Sequence, residues 1–475
     1  MERMTGLDAG FLYMETPTLH MHTLKIAVVD PANVPGGYSF DLLKQILGSR
    51  LQYLPPFRRR VVEVPFGLTH PVWVEDPDFD LDYHVRRVAV PAPGGPKEFG
   101  ELISDIASHQ LDRRRPLWEL WVVEGLEHGH IGVVAKIHHA AADGVAAAAM
   151  LANVLGVGDA DDAGGAETEQ PDAWRPDPIP SDWELFAGAV KSLAVAFAHL
   201  PTLLWRTFQG VFRLAKRRRA GGDLPPPPFS APAVSFNRAL TPHRRFVFSS
   251  VSLDDVKEIK DALGATVNDV ILALSAAALR RYLEDRGELP ARPLMSGVPV
   301  SVGEMGTRSS GNMVSNLFTS IPTDVADPVE RVRTVHRMMQ GAKEVHNALG
   351  AEMLSDWTEL TPPRPFAAFM RFYSKRELAS RHRPPINVVI SNVPGPRTPL
   401  EIAGARLVSI YSMGPILEGI GLNITVWSYC GSLNFGIVSC RELMPDLWQL
   451  TDHIQDALEE LKKAVASEGK SGSTE

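Results

Sequence analysis

Ile131-Gly-Val-Val-Ala-Lys-Ile-His138-His139-Ala-Ala-Ala-Asp143-Gly144 reads as an apolar strand that stops abruptly in two histidines, three alanines, an aspartate and a glycine. Upstream, Trp118 to Gly125 forms a second strand candidate, and Glu127-His-Gly-His130 supplies the turn that would join the two as a hairpin. The histidine pair thus falls at a strand end. A base that takes a proton from an alcohol should titrate near the working pH, which histidine does without large perturbation. Adjacent strand residues face opposite sides, so His138 and His139 do not both point into one cavity while the chain stays extended. Asp143 follows His139 closely enough to hold the loop or orient an imidazole, Gly144 adopts conformations other residues resist, and Ala140 to Ala142 leave room for substrate. Taken alone, the pair fits a half-buried structural role as well as a catalytic one. A zinc site would need further ligands, and no companion His or Cys motif is present.

The chain has 475 residues, more than one hydrophobic core usually organises, which predicts two domains of roughly 200 residues each. A net charge of −8 argues against a general nucleic-acid binder. Cys430 and Cys440, the only cysteines, suit a reducing cytoplasm and offer no disulfide framework. The opening stretch interleaves Glu2, Arg3, Asp8 and Glu15 with apolar residues, unlike a signal peptide. No window reads as the roughly 20 continuous apolar residues of a spanning helix. The expected location is therefore the cytoplasm, with peripheral contact at the inner face of the plasma membrane.

Strand-like runs at Leu24–Val29, Leu120–Val123 and Ile131–Ile137 make residues 1–156 a mixed α+β domain. From Gly158 to Asp182 eight acidic residues stand against one arginine, among Pro and Gly, a composition that builds no core. Trp183 to Ala215 then places Phe186, Val190, Leu193, Phe197, Leu200, Leu204, Phe208 and Val211 three or four residues apart, predicting an amphipathic helix with a kink at Pro201 and a basic end. Such a helix either packs on the domains or lies at a membrane interface. Pro225 to Pro228 reads as a stiff connector that closes the 157–235 segment. Residues 236–475 form the second domain, with helices at Leu253–Leu263 and Val267–Leu283, strands at Leu294–Val300, Asn387–Ile390, Leu422–Val426 and Leu433–Ser439, and a polar tail.

His138-His-Ala-Ala-Ala-Asp-Gly144 resembles the HHxxxDG motif of CoA-dependent acyltransferases and of the condensation domains of peptide synthetases. Pro116-Leu-Trp118, Gly264-Ala-Thr-Val-Asn268-Asp269 and Ser391-Asn-Val-Pro-Gly-Pro396 are similar to the lipid branch, the bacterial wax ester synthase/diacylglycerol acyltransferases, as are Leu7 to Leu12 and Pro55 to Arg60. The resemblance spans nearly the whole chain. It implies two chloramphenicol-acetyltransferase-like α+β domains with the active site at their interface, reached by a tunnel from each side. It makes His139 the general base, His138 supporting and Asp143 structural or orienting, with Gly144, Trp118 and Asn268 as substrate-binding candidates. The implied substrates are a fatty acyl-CoA and diacylglycerol or a long-chain alcohol, handled without cofactor or metal, at a membrane or lipid-droplet surface, and with no nucleic acid.

Local readings stand beside these roles. Trp118 can simply bury its indole, Thr266 and Asp269 have the spacing of a helix cap, and the Arg58–Arg60 and Arg113–Arg115 triplets can be solvated faces rather than CoA-phosphate ligands. No G-x-S-x-G elbow marks an acyl-enzyme nucleophile. The DFGWG-type loop of plant acyltransferases is also not found. Competing classes are a condensation-type amide-forming domain and a non-catalytic lipid-binding protein.

Overall fold

A computed structural model describes residues 2–34, 36–51, 54–141, 178–219, 229–301, 314–349 and 353–471. Two six-stranded mixed sheets organise the chain. In the first, the strands run in the order Glu401–Ile402, Ala405–Met413, His22–Asp30, Ile131–His138, Trp118–Glu124 and Val85–Ala89. In the second the order is Val314–Ile321, Leu294–Ser301, Val388–Val393, Leu422–Tyr429, Ser432–Cys440 and Arg244–Ser252.

The expected hairpin is present. Trp118–Glu124 pairs antiparallel with Ile131–His138, joined through the tight turn at Glu127–Gly129. The motif strand also pairs with His22–Asp30 on its other edge, and every residue from Ile131 to His138 is buried. Burial on both faces explains the unbroken apolar run, since a half-solvated strand would alternate. Ile131, Val133, Ala135 and Ile137 pack with the Phe40–Leu51 helix, while Val134 faces the Pro96–Ser108 helix. The abrupt end of the apolar run is where the chain leaves the sheet.

The second sheet carries the larger core, centred on the Val267–Glu284 helix. That helix begins with a reciprocal cap in which the Thr266 and Asp269 side chains each accept the other's backbone N–H, worth about 1 kcal/mol. Gly264 ends the preceding helix with φ of 63°, a left-handed conformation suited to glycine.

The two halves interlock. Residues 401–413 belong by chain position to the segment beginning at 236, yet Ala405–Met413 pairs antiparallel with His22–Asp30 and completes the first sheet. At this seam Gly436 of the second sheet lies against the Ser412 backbone so closely that an added Cβ would sit 2.2 Å from the Ser412 carbonyl oxygen. Gly395, in the Ser391–Pro396 run, is held equally close to Ser428.

The amphipathic segment is one helix, Asp182–Arg219, continuous through Pro201. The reading that no segment could span a membrane needs correcting. Asp182–Gly210 contains an 18-residue window of mean hydropathy 1.4 and is long and apolar enough to cross one by length and composition, with only 11% of that window buried. Its polar interruptions break the continuous apolar run without lowering the average enough. Trp205, Phe208 and Phe212 form an exposed aromatic stripe, the rings of Phe208 and Phe212 stacking at 6.4 Å.

Candidate active site

The last residues of the motif strand are fixed by backbone hydrogen bonds. His138 N–H donates to the Leu117 carbonyl at 3.0 Å and His139 N–H to the Met21 carbonyl at 2.7 Å. Ala141 N–H then turns back to the His138 carbonyl at 2.9 Å. His139 is therefore held on both sides by its peptide bonds, just where the chain exits the sheet. Its imidazole is half-buried and lies against the Phe11 ring, with centroids 4.2 Å apart.

His138 turns the other way and has no exposed surface. Its Nδ1 accepts the Ala140 N–H at 3.0 Å, so in the neutral ring the proton sits on Nε2, which faces Glu15 Oε2 at 3.6 Å. Burial pushes the His138 pKa down against the opposing pull of Glu15. Glu15 is buried too, and burial by itself would raise its carboxyl. Hydrogen bonding and charge from His138 and Arg113 outweigh this and hold it at about 2. Because a neutral His138 carries no charge, Arg113 is the cation that keeps Glu15 ionised at neutral pH. Its Nε donates to Glu15 Oε2 at 2.6 Å, and a terminal nitrogen donates to the Leu12 carbonyl at 2.5 Å.

Behind this pair lie His22, whose Nε2 is 3.7 Å from Glu15 Oε1, and His20, which burial holds at about 4. Lys136, two residues before His138 on the same strand face, is brought by burial to about 8 and donates to the Ile106 and His109 carbonyls at 3.0 and 2.5 Å. Among the described residues no three His, Cys, Asp or Glu side chains converge so as to hold a metal ion.

Open space adjoins the exit of the strand. A small cavity of about 50 Å³ is lined by Ala140 and Ala141 together with Arg3, Asp8 and Trp73. Arg3 also lines a groove of about 320 Å³, whose walls include Leu193, Phe197 and Leu200 of the amphipathic helix and Trp357 and Leu360 opposite.

The other sequence candidates are placed as follows. Trp118 is 4% exposed, its indole N–H donates to the Phe57 carbonyl at 2.7 Å, and its ring stacks on His84 at 4.5 Å. Packing in the first domain's core accounts for those contacts. Asn268 is half-buried in the first turn of its helix, and among the described residues no hydrogen bond joins it to the motif. The neighbouring Asp269 is held by His336 at 2.7 Å. Asp143 and Gly144 lie outside the described residues. The arginine triplets have partners within the protein: Arg58, Arg59 and Arg60 pair with Glu75, Glu2 and Asp76, and Arg113 and Arg114 with Glu15 and Asp112. Arg115 lies over the Tyr83 ring at 4.1 Å.

Sequence reasoning missed Glu15, Phe11 and His22. Glu15 registered only as a charge interrupting an apolar N-terminal stretch. The signal available was His20-Met-His22, two histidines leading into the His22–Asp30 strand, which called for a nearby acid.

Comparison with known proteins bears on the family and the fold. Residues 4–271 match the wax ester synthase/diacylglycerol acyltransferase catalytic domain and residues 310–462 the C-terminal domain of the same family. A Mycobacterium tuberculosis H37Rv protein provisionally named diacylglycerol O-acyltransferase is 38% identical over 467 residues, covering 97% of this chain and 90% of the relative. A second protein of that strain with the same provisional name is 38% identical over 465 residues, covering 98% and 97%. The solved wax ester synthase/diacylglycerol acyltransferase from Marinobacter aquaeolei VT8 superposes with a TM-score of 0.66 at 29% identity, over 98% of this chain and all of that one (100%). The first condensation domain of the calcium-dependent antibiotic synthetase, with a TM-score of 0.58 at 15% identity over 98% and 96% of the two chains, shares the two-sheet fold. Both halves of the chain match the family in order and almost end to end, and the chain belongs to the wax ester synthase/diacylglycerol acyltransferase family of acyltransferases.

Proposed function

We propose that this acyltransferase moves a fatty acyl group from a CoA thioester to the free hydroxyl of diacylglycerol, with His139 as the general base. The observation that carries the reading is the placement of His139. It stands half-buried at the exit of a buried strand, followed directly by the alanines of a cavity that shares Arg3 with an apolar groove. The groove is walled by the amphipathic helix, which suits entry of a lipid acceptor from an interface. Diacylglycerol is preferred over a long-chain alcohol because the relatives 38% identical to this chain carry the diacylglycerol name.

In this reaction the His139 imidazole takes the proton from the acceptor hydroxyl as the oxygen attacks the thioester carbonyl. A tetrahedral oxyanion forms, the C–S bond breaks, and the imidazolium returns the proton to the departing CoA thiolate. No acyl-enzyme intervenes. The apolar walls keep out water that would otherwise hydrolyse the thioester. Asp143 is assigned to orienting the motif loop, and Gly144 and Asn268 to the substrate side of the site, while Trp118 serves the packing of the first domain. The exposed stripe Trp205, Phe208 and Phe212 supports a peripheral position on the cytoplasmic face of a membrane or on a lipid droplet.

The test is to incubate the purified protein with palmitoyl-CoA and, in parallel, diacylglycerol, hexadecanol or no acceptor, and to quantify esters and free CoA. Triacylglycerol formation that depends on diacylglycerol and exceeds wax ester formation is expected. CoA release without ester would overturn the acceptor assignment.

A further inference from the structure

His138 is fully buried, so it cannot touch substrate and must act through its neighbours. Its Nδ1 is committed to the Ala140 N–H, which closes the tight turn carrying His139. The opposite edge of the ring, bearing the Nε2 proton, faces Glu15 Oε2. At 3.6 Å the carboxylate attracts this N–H without a full hydrogen bond, and removing it frees the ring to rotate away and release Ala140.

Glu15 is itself held in place. Arg113 grips Oε2 at 2.6 Å and anchors to the Leu12 carbonyl one helical turn earlier. Leu12 and Phe11 belong to the Gly6–Met14 helix, and Phe11 packs directly on the His139 ring. One helix with the residue that follows it therefore contacts both motif histidines, His139 by a ring face and His138 by a carboxylate. Among the described residues neither Glu15 Oε1 nor His138 Nε2 has a hydrogen-bond partner: Oε2 accepts from Arg113, and its hold on His138 at 3.6 Å is electrostatic.

We propose that Glu15, braced by Arg113, is a positioning residue for acyl transfer that holds the His138 ring against the Ala140 turn and thereby fixes the His139 imidazole. This rests on His139 being the base. Glu15 touches neither substrate nor the reacting atoms. Its contribution is orientation, where a displacement of about 1 Å can cost on the order of 100-fold in rate.

The experiment is a double-mutant cycle on kcat, with KM for palmitoyl-CoA and diacylglycerol and the melting temperature recorded for each variant. Glu15→Leu fills the buried site without an acceptor, and Arg113, 40% exposed, can turn to solvent. A 10- to 100-fold fall in kcat is expected, on the scale of such displacements, with both KM values within about twofold. In Glu15→Leu/His138→Asn the loss should equal that of His138→Asn alone, because the effect of Glu15 passes through His138. Glu15→Gln, which keeps an acceptor oxygen and serves if the leucine variant does not fold, should lose less than Glu15→Leu. Unchanged kcat in a folded Glu15→Leu, losses that multiply in the double variant, or equal losses in the glutamine and leucine variants would each overturn the proposal. A His139→Ala variant with wild-type rate would instead remove the base assignment, a result distinct from all three.

Discussion

Replacing Gly436 with alanine probes the contact that locks the two sheets together. The new Cβ would lie 2.2 Å from the Ser412 carbonyl oxygen, 3.2 Å from its carbonyl carbon and 3.3 Å from the Phe246 ring. Relief requires a shift of well over ~1 Å, since packed atoms sit at about 3.5–4.0 Å. The strand cannot slide aside, because Gly436 is paired with Thr425 on one edge and Phe248 on the other. Ser412 cannot retreat easily either, being paired with Lys25, whose Nζ donates to Ser412 Oγ at 2.6 Å. Overpacking of this kind costs about 1–3 kcal/mol, and two immobile backbones place this case at the upper end. At about 2–4 °C per kcal/mol for a domain of this size, the melting temperature should fall by about 5–10 °C. Differential scanning calorimetry reads it directly. Gly188→Ala is the control: it is exposed in the amphipathic helix with no atom near its Cβ position, so alanine there should be neutral or stabilising by up to about 1 kcal/mol. A Gly436→Ala melting temperature within about 1 °C of wild type would refute the argument that the seam is a rigid backbone contact.

Trp118→Phe removes the hydrogen bond to the Phe57 carbonyl and should cost about 1–3 kcal/mol of stability in urea unfolding with kcat/KM little changed. A change in KM at unaltered stability would instead point to substrate contact. Acid should destabilise the fold in two stages. His20 and His84 are lowered from 6.5 to about 4, so the unfolded chain binds more protons between those values and stability falls as pH drops through that window. Glu15 is lowered from 4.5 to about 2, so its contribution, full above 4.5, is lost as pH falls towards 2. Each of these groups is worth on the order of 3 kcal/mol, and unfolding free energy measured by urea titration from pH 7 to 3 would contradict this by staying flat. Changing Trp205, Phe208 and Phe212 together to serine should abolish flotation with anionic vesicles and leave the melting temperature unaltered. Retained flotation would remove the helix from membrane contact.

The two-layer architecture was legible wherever local pattern decides it. The apolar run ending at His138 gave a buried strand, Glu127 to His130 gave the turn, and Thr266 with Asp269 gave a helix start that the structure reproduces as a reciprocal cap. Hidden from the sequence were features made by distant partners. Ala405–Met413 joins a sheet whose other strands, the short Glu401–Ile402 aside, all lie before residue 139, and only tertiary packing sets such a register. The site shows the same division. His138 and His139 announced themselves by residue type and spacing. Glu15 and Arg113 did not, because an acid after an apolar helix and an arginine in a charged triplet look like surface residues until the fold brings them together at 2.6 Å.

The measurement that tests the account most directly is the rate of triacylglycerol formation by His139→Ala, at saturating palmitoyl-CoA and diacylglycerol, beside wild type. General-base catalysis predicts a fall on the order of 10²- to 10⁴-fold with the melting temperature retained, since His139 is only half-buried and its backbone bonds survive. A folded variant that makes ester within a few-fold of the wild-type rate would contradict the central claim.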